Sequence, residues 1–210
     1  MSKPYTLLLR LEGPMQSWGY RSHFDYRDTA LEPTRSGVIG LICAAMGIAR
    51  GEDISRFDAI RMGVRVDQEG RPERDYQTAL EVIKADGKGQ GTVQSWRDYL
   101  ADASFTVGLE SSNKEFLEEI AGALQSPKWA LFLGRKAFPL ALPPVAPSNP
   151  IQPGTLEEHL LTQDSNKRVV LETHDGERIQ HDWPLCFGKR RFKPRFIHHA
   201  GPVQQKGVNE

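Results

Sequence analysis

The alternation of apolar and polar positions divides the chain into a small set of elements. Tyr5–Leu11 is a β-prone run that stops at Glu12-Gly13-Pro14, which predicts a strand leaving into a turn. A polar loop follows to Pro33. From Ser36, the positions Val38, Ile39, Leu41, Ile42, Ala45, Met46 and Ile48 recur at helical spacing and predict a buried helix. Thr34 or Ser36 can cap it and Gly51 can end it. Val64 and Val66 alternate with polar residues over Met62–Asp67, and Phe105, Val107 and Leu109 do the same, giving two further strands. Asn113–Gln125 carries Phe116, Leu117, Ile120, Ala121 and Leu124 on one helical face, with Asn113 as N-cap and Pro127 just past its end. Trp129–Leu133 completes the pattern as a fourth strand. The order βαββαβ predicts an α+β, ferredoxin-like domain, the topology of the RNA-recognition motif. That topology hosts many activities, so it does not by itself give a function.

Two departures from a minimal unit stand out. The connection between the second and third strands runs from about Gln68 to Ser104, far longer than a hairpin needs. Its centre, Asp86-Gly87-Lys88-Gly89-Gln90-Gly91, is turn-rich and lies between β-capable arms at Tyr76–Ile83 and Thr92–Trp96, which predicts a projecting hairpin. Six prolines then fall within Pro139–Pro153, a stiff linker or an extended strip. The tail from Thr155 predicts a short helix and a hairpin turning at Asp175-Gly176. The expected organisation is a domain over 1–140 with its hairpin at about 76–96, a proline-rich linker over 141–154, and a small β-rich element over 155–210. There is no repeat at a solenoid period.

Composition narrows the function classes. The 210 residues carry 27 Lys+Arg against 27 Asp+Glu, so the net charge is zero and a freestanding basic nucleic-acid binder is disfavoured. The total hides segregation: Glu52–Glu119 holds 15 acids and 9 bases, whereas Lys128–Pro153 contains no Asp or Glu. The two cysteines, Cys43 and Cys186, form no CxxC pair, which points away from a disulfide scaffold and from a cysteine metal site and towards a reducing cytoplasm. The opening residues lack a signal-peptide pattern, and no apolar stretch reaches membrane-spanning length.

No catalytic or cofactor motif emerges. His23, His159, His174, His181, His198 and His199 are the available general bases, but none lies in a nucleophile elbow, an HExxH helix or a His-Asp-Ser order. Adjacent His198 and His199 point to opposite faces of an extended segment and suit one metal poorly. Gly87, Gly89 and Gly91 lack the Lys-Ser/Thr pair and the helix of a phosphate-cradling loop.

Anion binding has better support, at three places. Pro33-Thr34-Arg35-Ser36-Gly37 opens a helix, whose free N–H groups and positive dipole end suit a phosphate, with Arg35 and Ser36 as added donors; ordinary capping is the plainer reading. Arg135 and Lys136 sit in the acid-free stretch. Lys189–Phe196 interleaves basic and aromatic residues, a mixture that suits single-stranded nucleic acid or a protected sheet edge. The loop Gly13–Gly19 exposes Met15 and Trp18 as a contact surface, unless Trp18 folds back onto the core.

Five blocks, taken in order, carry a resemblance. They are Leu9–Gly19 (LRLEGPMQSWG), Pro33–Gly37 (PTRSG), Arg74–Thr78 (RDYQT), Thr92–Val107 (TVQSWRDYLADASFTV) and Leu133–Lys136 (LGRK). Together they resemble the CasD-type subunits of type I-E CRISPR Cascade complexes over residues 5–140. The resemblance implies a RAMP fold with a thumb hairpin and a smaller C-terminal β element. It also implies a non-catalytic role in antiviral defence, without cofactor or metal. Such a subunit binds the five-prime handle of crRNA, abuts a backbone subunit and helps seat the large PAM-reading subunit, so that target DNA is reached indirectly. Carried over by residue, the handle groove draws on Gln16, Ser17, Trp18, Arg35, Ser36, Arg135 and Lys136. The thumb residues Tyr76, Gln77, Lys84, Lys88, Gln94, Trp96 and Arg97 join them. The type I-C branch, which is similar in fold, cuts precursor RNA with a Tyr, Lys and His set. Here Lys84 and Lys88 are followed by Ala85 and Gly89, so no Lys-His pair stands in the thumb, and His23 with Tyr20 or Tyr26 is the nearest substitute.

Overall fold

A computed structural model describes residues 3–19, 25–161 and 166–201. In chain order its elements are β1 (Tyr5–Glu12), β2 (Met15–Gln16), β3 (Tyr26–Arg27), α1 (Arg35–Met46) and β4 (Arg61–Gln68), with a single 3-10 turn over Ser55–Ala59. There follow β5 (Arg71–Ile83), β6 (Gln90–Ala101), β7 (Ser104–Ser111), α2 (Lys114–Gln125), β8 (Ile151–Pro153), α3 (Leu156–Leu160), β9 (Val169–Thr173), β10 (Arg178–Cys186) and β11 (Arg191–Ala200). Seven strands form one antiparallel sheet in the order β10-β11-β9-β4-β7-β1-β8. The long β5–β6 hairpin, with β2 and β3 on the free side of β6, makes a second sheet.

Both main helices form where their caps and periodicity require. Thr34 Oγ1 accepts from Gly37 N at the start of α1, and Asn113 Oδ1 accepts from Phe116 N at the start of α2. Gly47 in the left-handed region ends α1, four residues before the expected Gly51. Together the helices cover one face of the sheet, burying Leu7, Leu9 and Leu11 of β1 with Phe105, Val107 and Leu109 of β7. Each such Leu contributes about 1.5–3 kcal/mol on leaving water.

The opposite face has its own small core. Register sets Leu171, Gly63, Gly108 and Leu8 side by side across four strands. The two glycines form a shallow trough into which α3 drops Leu156 and Leu160. A Cβ on Gly63 would lie 2.6 Å from Leu160 Cδ1, and one on Gly108 would lie 2.6 Å from Leu156 Cδ2. A capping box from Thr155 and Glu158 starts α3. Arg61 pairs with Glu157, and Leu156 N donates to Glu110 at 2.7 Å, which fixes α3 over the trough.

Three expectations need correction. Trp129–Leu133 is not a strand: Lys128 N and Trp129 N donate to Ala45 O and Ala44 O, so the segment wraps the end of α1 instead of joining the sheet. Its place beside β1 is taken by β8, inside the stretch expected to be a linker. Pro150 and Pro153 fit there because β8 is an edge and needs no donor on its outer side. The third concerns Asp175-Gly176, which does not join a paired hairpin, because β11 inserts between β9 and β10. The strands after residue 155 therefore continue the same sheet past β4.

Candidate nucleic-acid interface

The structure separates the expected binding residues into an inner and an outer group. Gln16, Ser17 and Trp18 face inward. Gln16 Nε2 donates to Leu11 O and Ala103 O, its Oε1 accepts from Trp18 Nε1 at 3.2 Å, and Ser17 Oγ donates to Asp98 O. Trp18 is 1 % exposed and lies against Gly37 of α1. Their hydrogen-bonding capacity is spent holding the thumb root to the core.

Arg35 is also withdrawn from any ligand, and the reason is electrostatic. The start of α1 presents free N–H groups to an anion, but the anion comes from the chain's own tail: Arg35 N donates to Asp182 Oδ2 at 2.7 Å. The Arg35 guanidinium donates to Glu172 Oε2 at 2.8 Å and to the carbonyls of Phe57 and Ile60, under the ring of Trp183 at 3.6 Å. Arg195 completes the group through two bonds to Asp182. Arg35, Glu172, Asp182 and Arg195 are all less than 10 % exposed. Burial lowers the Arg35 pKa and raises that of Glu172, each opposed by its partner. Half-buried Ser36 bonds Thr34. The sequence contained the complementary acids, but nothing local linked positions 35 and 182.

The outer group gathers at the thumb root, and several of its members were not anticipated. Tyr26 of β3 stacks on Trp96 of β6 with centroids 5.9 Å apart, and Tyr76 of β5 leans on the same ring at 5.6 Å. Arg74 lies 5.0 Å over Tyr26 while paired to Asp98. Tyr26, between Trp96 and Arg74, and Tyr76 are about half exposed, so part of each ring is accessible. Residues one step along each strand point to the other face, where Arg27 stands beside Arg97 in register and Asp75 opposite it. Arg135 reaches this side, donating to Asp98 O at 2.8 Å and Arg27 O at 3.3 Å. Partial burial, and then the charges of Arg97 and Arg27, lower its pKa below the ordinary guanidinium value, with Asp75 and Asp98 acting in the opposite sense. Three guanidiniums held this close would be relieved by a polyanion. Gly134, at φ 88°, permits this arrangement: a Cβ there would lie 1.7 Å from Ser17 O.

Lys136 is exposed next to Arg135, and exposed Gln77 and Gln94 continue up the hairpin. Lys84 and Lys88 stand at the tip, with Leu80 and Ile83 each 71 % exposed below them. They are too far along β5 and the turn to join the root cluster. A groove of about 470 Å³ also opens near the root, but Glu12, Asp67 and Asp102 outnumber Arg10 there, so it is not suited to phosphate. Among the described residues, no group of three or more His, Cys, Asp or Glu could hold a metal. Of the histidines, His159 lies on α3, His174 follows β9, and His181, His198 and His199 lie on β10 and β11, all away from the thumb root. Tyr20 and His23 lie outside the described residues.

The mixed α+β architecture, a sheet core with few helices and a long projecting hairpin, is RAMP-like. The chain belongs to the CRISPR-associated Cas5 family, whose model matches residues 6–198. It is 38 % identical over 154 residues to the CRISPR system Cascade subunit CasD of Escherichia coli strain K12, covering 65 % of this chain and 68 % of that one. Among solved structures it is similar to a Cas protein, at 38 % identity and TM-score 0.75, with 93 % of each chain covered. A chain of a CRISPR RNA-guided surveillance complex superposes with TM-score 0.79 at 32 % identity, over 93 % of this chain and 89 % of that one.

Proposed function

We propose that this chain is the non-catalytic Cas5-type subunit of a Cascade-type surveillance complex and that its thumb root holds the five-prime handle of the guide RNA. The observation that carries this reading is the paired arrangement at the root. The half-exposed rings of Tyr26 and Tyr76, packed on Trp96, face bases on one side, while Arg27, Arg97 and Arg135 offer charge to the backbone on the other. Lys136, Gln77 and Gln94 extend that surface, and Lys84 and Lys88 at the tip contact the RNA or the adjacent backbone subunit. The buried Gln16, Ser17 and Trp18 position the root, Arg35 ties the start of α1 to β9 and β10, half-buried Ser36 bonds Thr34, and none of the five touches RNA. Seating of the large PAM-reading subunit, and indirect contact with target DNA, follow from the same placement at the end of the guide.

The test is an Arg97→Ala/Arg135→Ala variant assembled with its guide RNA and washed across a salt series. Loss of two phosphate contacts should flatten the salt dependence by roughly 1.4 units on a log–log plot. Wild-type occupancy and slope at every salt concentration would sink the assignment.

A further inference from the structure

The basic and aromatic run Lys189–Phe196 is not used by the thumb root. It forms the turn and first half of β11, beside the edge strand β10. We propose that the outward face of this hairpin is a second nucleic-acid contact, one that takes a single strand other than the segment held at the thumb root. β11 alternates regularly. Arg195 and Ile197 point to the helices and are buried, so Phe192, Pro194 and Phe196 point away and are exposed. The two rings, 42 % and 43 % exposed, stand about 13 Å apart along the strand, and Ile179 lies beside Phe196 in register. Lys189, Arg190 and Arg191 are exposed at the turn and have no ion pair among the described residues. From Arg178 to Gly201 the one acid is Asp182, which is buried on Arg195. The turn therefore carries three positive charges without an ion pair next to open rings, with Glu177 against His198 at the far end of the same face, and this pairing suits an unpaired polynucleotide. Edge protection would place the charges on β10, which lacks an outer neighbour. β10 carries only Arg178, and the cluster lies on the turn and on residues 191–195 of β11, which pair with β10 on one side, the pairing with β9 beginning at Phe196.

The full chain is titrated into fluorescein-labelled oligo(dT) and oligo(rU) of equal length, with anisotropy read across a salt series. Lys189→Ala/Arg190→Ala/Arg191→Ala should weaken binding and flatten the log–log salt slope by about 2 units. Phe192→Ala/Phe196→Ala should weaken it by about tenfold or more with the slope unchanged. All five side chains are exposed, so both variants should melt like wild type. Comparing the two oligonucleotides tells RNA from DNA preference, and photocrosslinks on Phe192 or Phe196 would place the strand. Wild-type affinity in both variants overturns the proposal. So does loss of self-association or of a protein partner with oligonucleotide affinity intact. Arg97→Ala/Arg135→Ala reports separately on the thumb root.

Discussion

Replacing Arg35 by Met tests whether the start of α1 is an RNA site or an internal lock. The substitution keeps an unbranched aliphatic stem, two atoms shorter, and removes three hydrogen bonds, to Glu172 Oε2, Phe57 O and Ile60 O, at 2.8, 2.9 and 2.8 Å. Ile60 O loses the Arg35 donor, Phe57 O keeps Ile60 N at 3.1 Å, and Glu172 is left with Arg195 Nη1 at 3.7 Å as its remaining cation. Removing one member of a buried ion pair costs about 3–5 kcal/mol, because the other charge stays buried without compensation. For a chain of this size that corresponds to a fall of roughly 6–20 °C in Tm. The assay is urea unfolding of the isolated chain, with the thermal melt as a second reading. Arg35→Met/Glu172→Gln should recover part of the loss, since it removes the stranded carboxylate. A phosphate ligand would behave in the opposite way, with normal stability and weakened guide retention. Unfolding within about 0.5 kcal/mol of wild type, the range of ordinary surface substitutions, would refute the lock.

Gly108→Ala should destabilise the chain by about 1–3 kcal/mol through overpacking against Leu156, and Leu156→Ala should partly offset it; denaturant midpoints decide. Acid should unfold the chain partly through Asp67 and Glu157. Burial opposes the shift at Asp67, but bonds from Thr106, Arg65 and Lys167 hold its pKa below the ordinary 3.8, and Arg61 holds Glu157 below 4.5. Their contribution is complete above those ordinary values and is lost as pH falls through the lower folded-state ones, so Asp67→Asn should flatten the stability profile below about pH 4. Replacing Leu80–Val93 by a short Gly-Ser turn should leave the melt of the isolated chain unchanged, because that part of the hairpin is largely exposed, while impairing assembly with the guide and its neighbours. A collapsed Tm with intact assembly would show the thumb to be core.

What the sequence made legible was local. Thr34 and Asn113 declare their helices because a cap and its periodic face lie within a few residues. The thumb followed from an overlong connection with glycines at its centre. β8 stayed hidden because Ile151 and Gln152, set between two prolines, carry no alternation, and its identity is set by β1 alongside. β9 and β10 read as a hairpin about Asp175-Gly176, and the insertion of β11 between them was hidden because pairing order is a tertiary choice. At the candidate site, Arg135 and Trp96 were visible as charge and aromatic in the right blocks. Tyr26 and Arg27 were missed, because a two-residue strand is defined only by its pairing with β6. Trp18 and Arg35 looked like ligand contacts because one-dimensional context cannot tell an exposed donor from one already answered by distant backbone or acid.

The lock joining Arg35 to Glu172 and Asp182 also sets an order of events during synthesis. Its halves are separated by 137 and 147 residues, and β9 must emerge before the exposed side of β4 is paired, and β10 before Asp182 reaches the start of α1. A nascent chain stopped near residue 154 has α1 and α2 in hand but an open strand edge and a helix start without its anion. Contacts of such long range form late and slowly, so the ribosome carries an adhesive half-molecule until the last strands clear the exit tunnel.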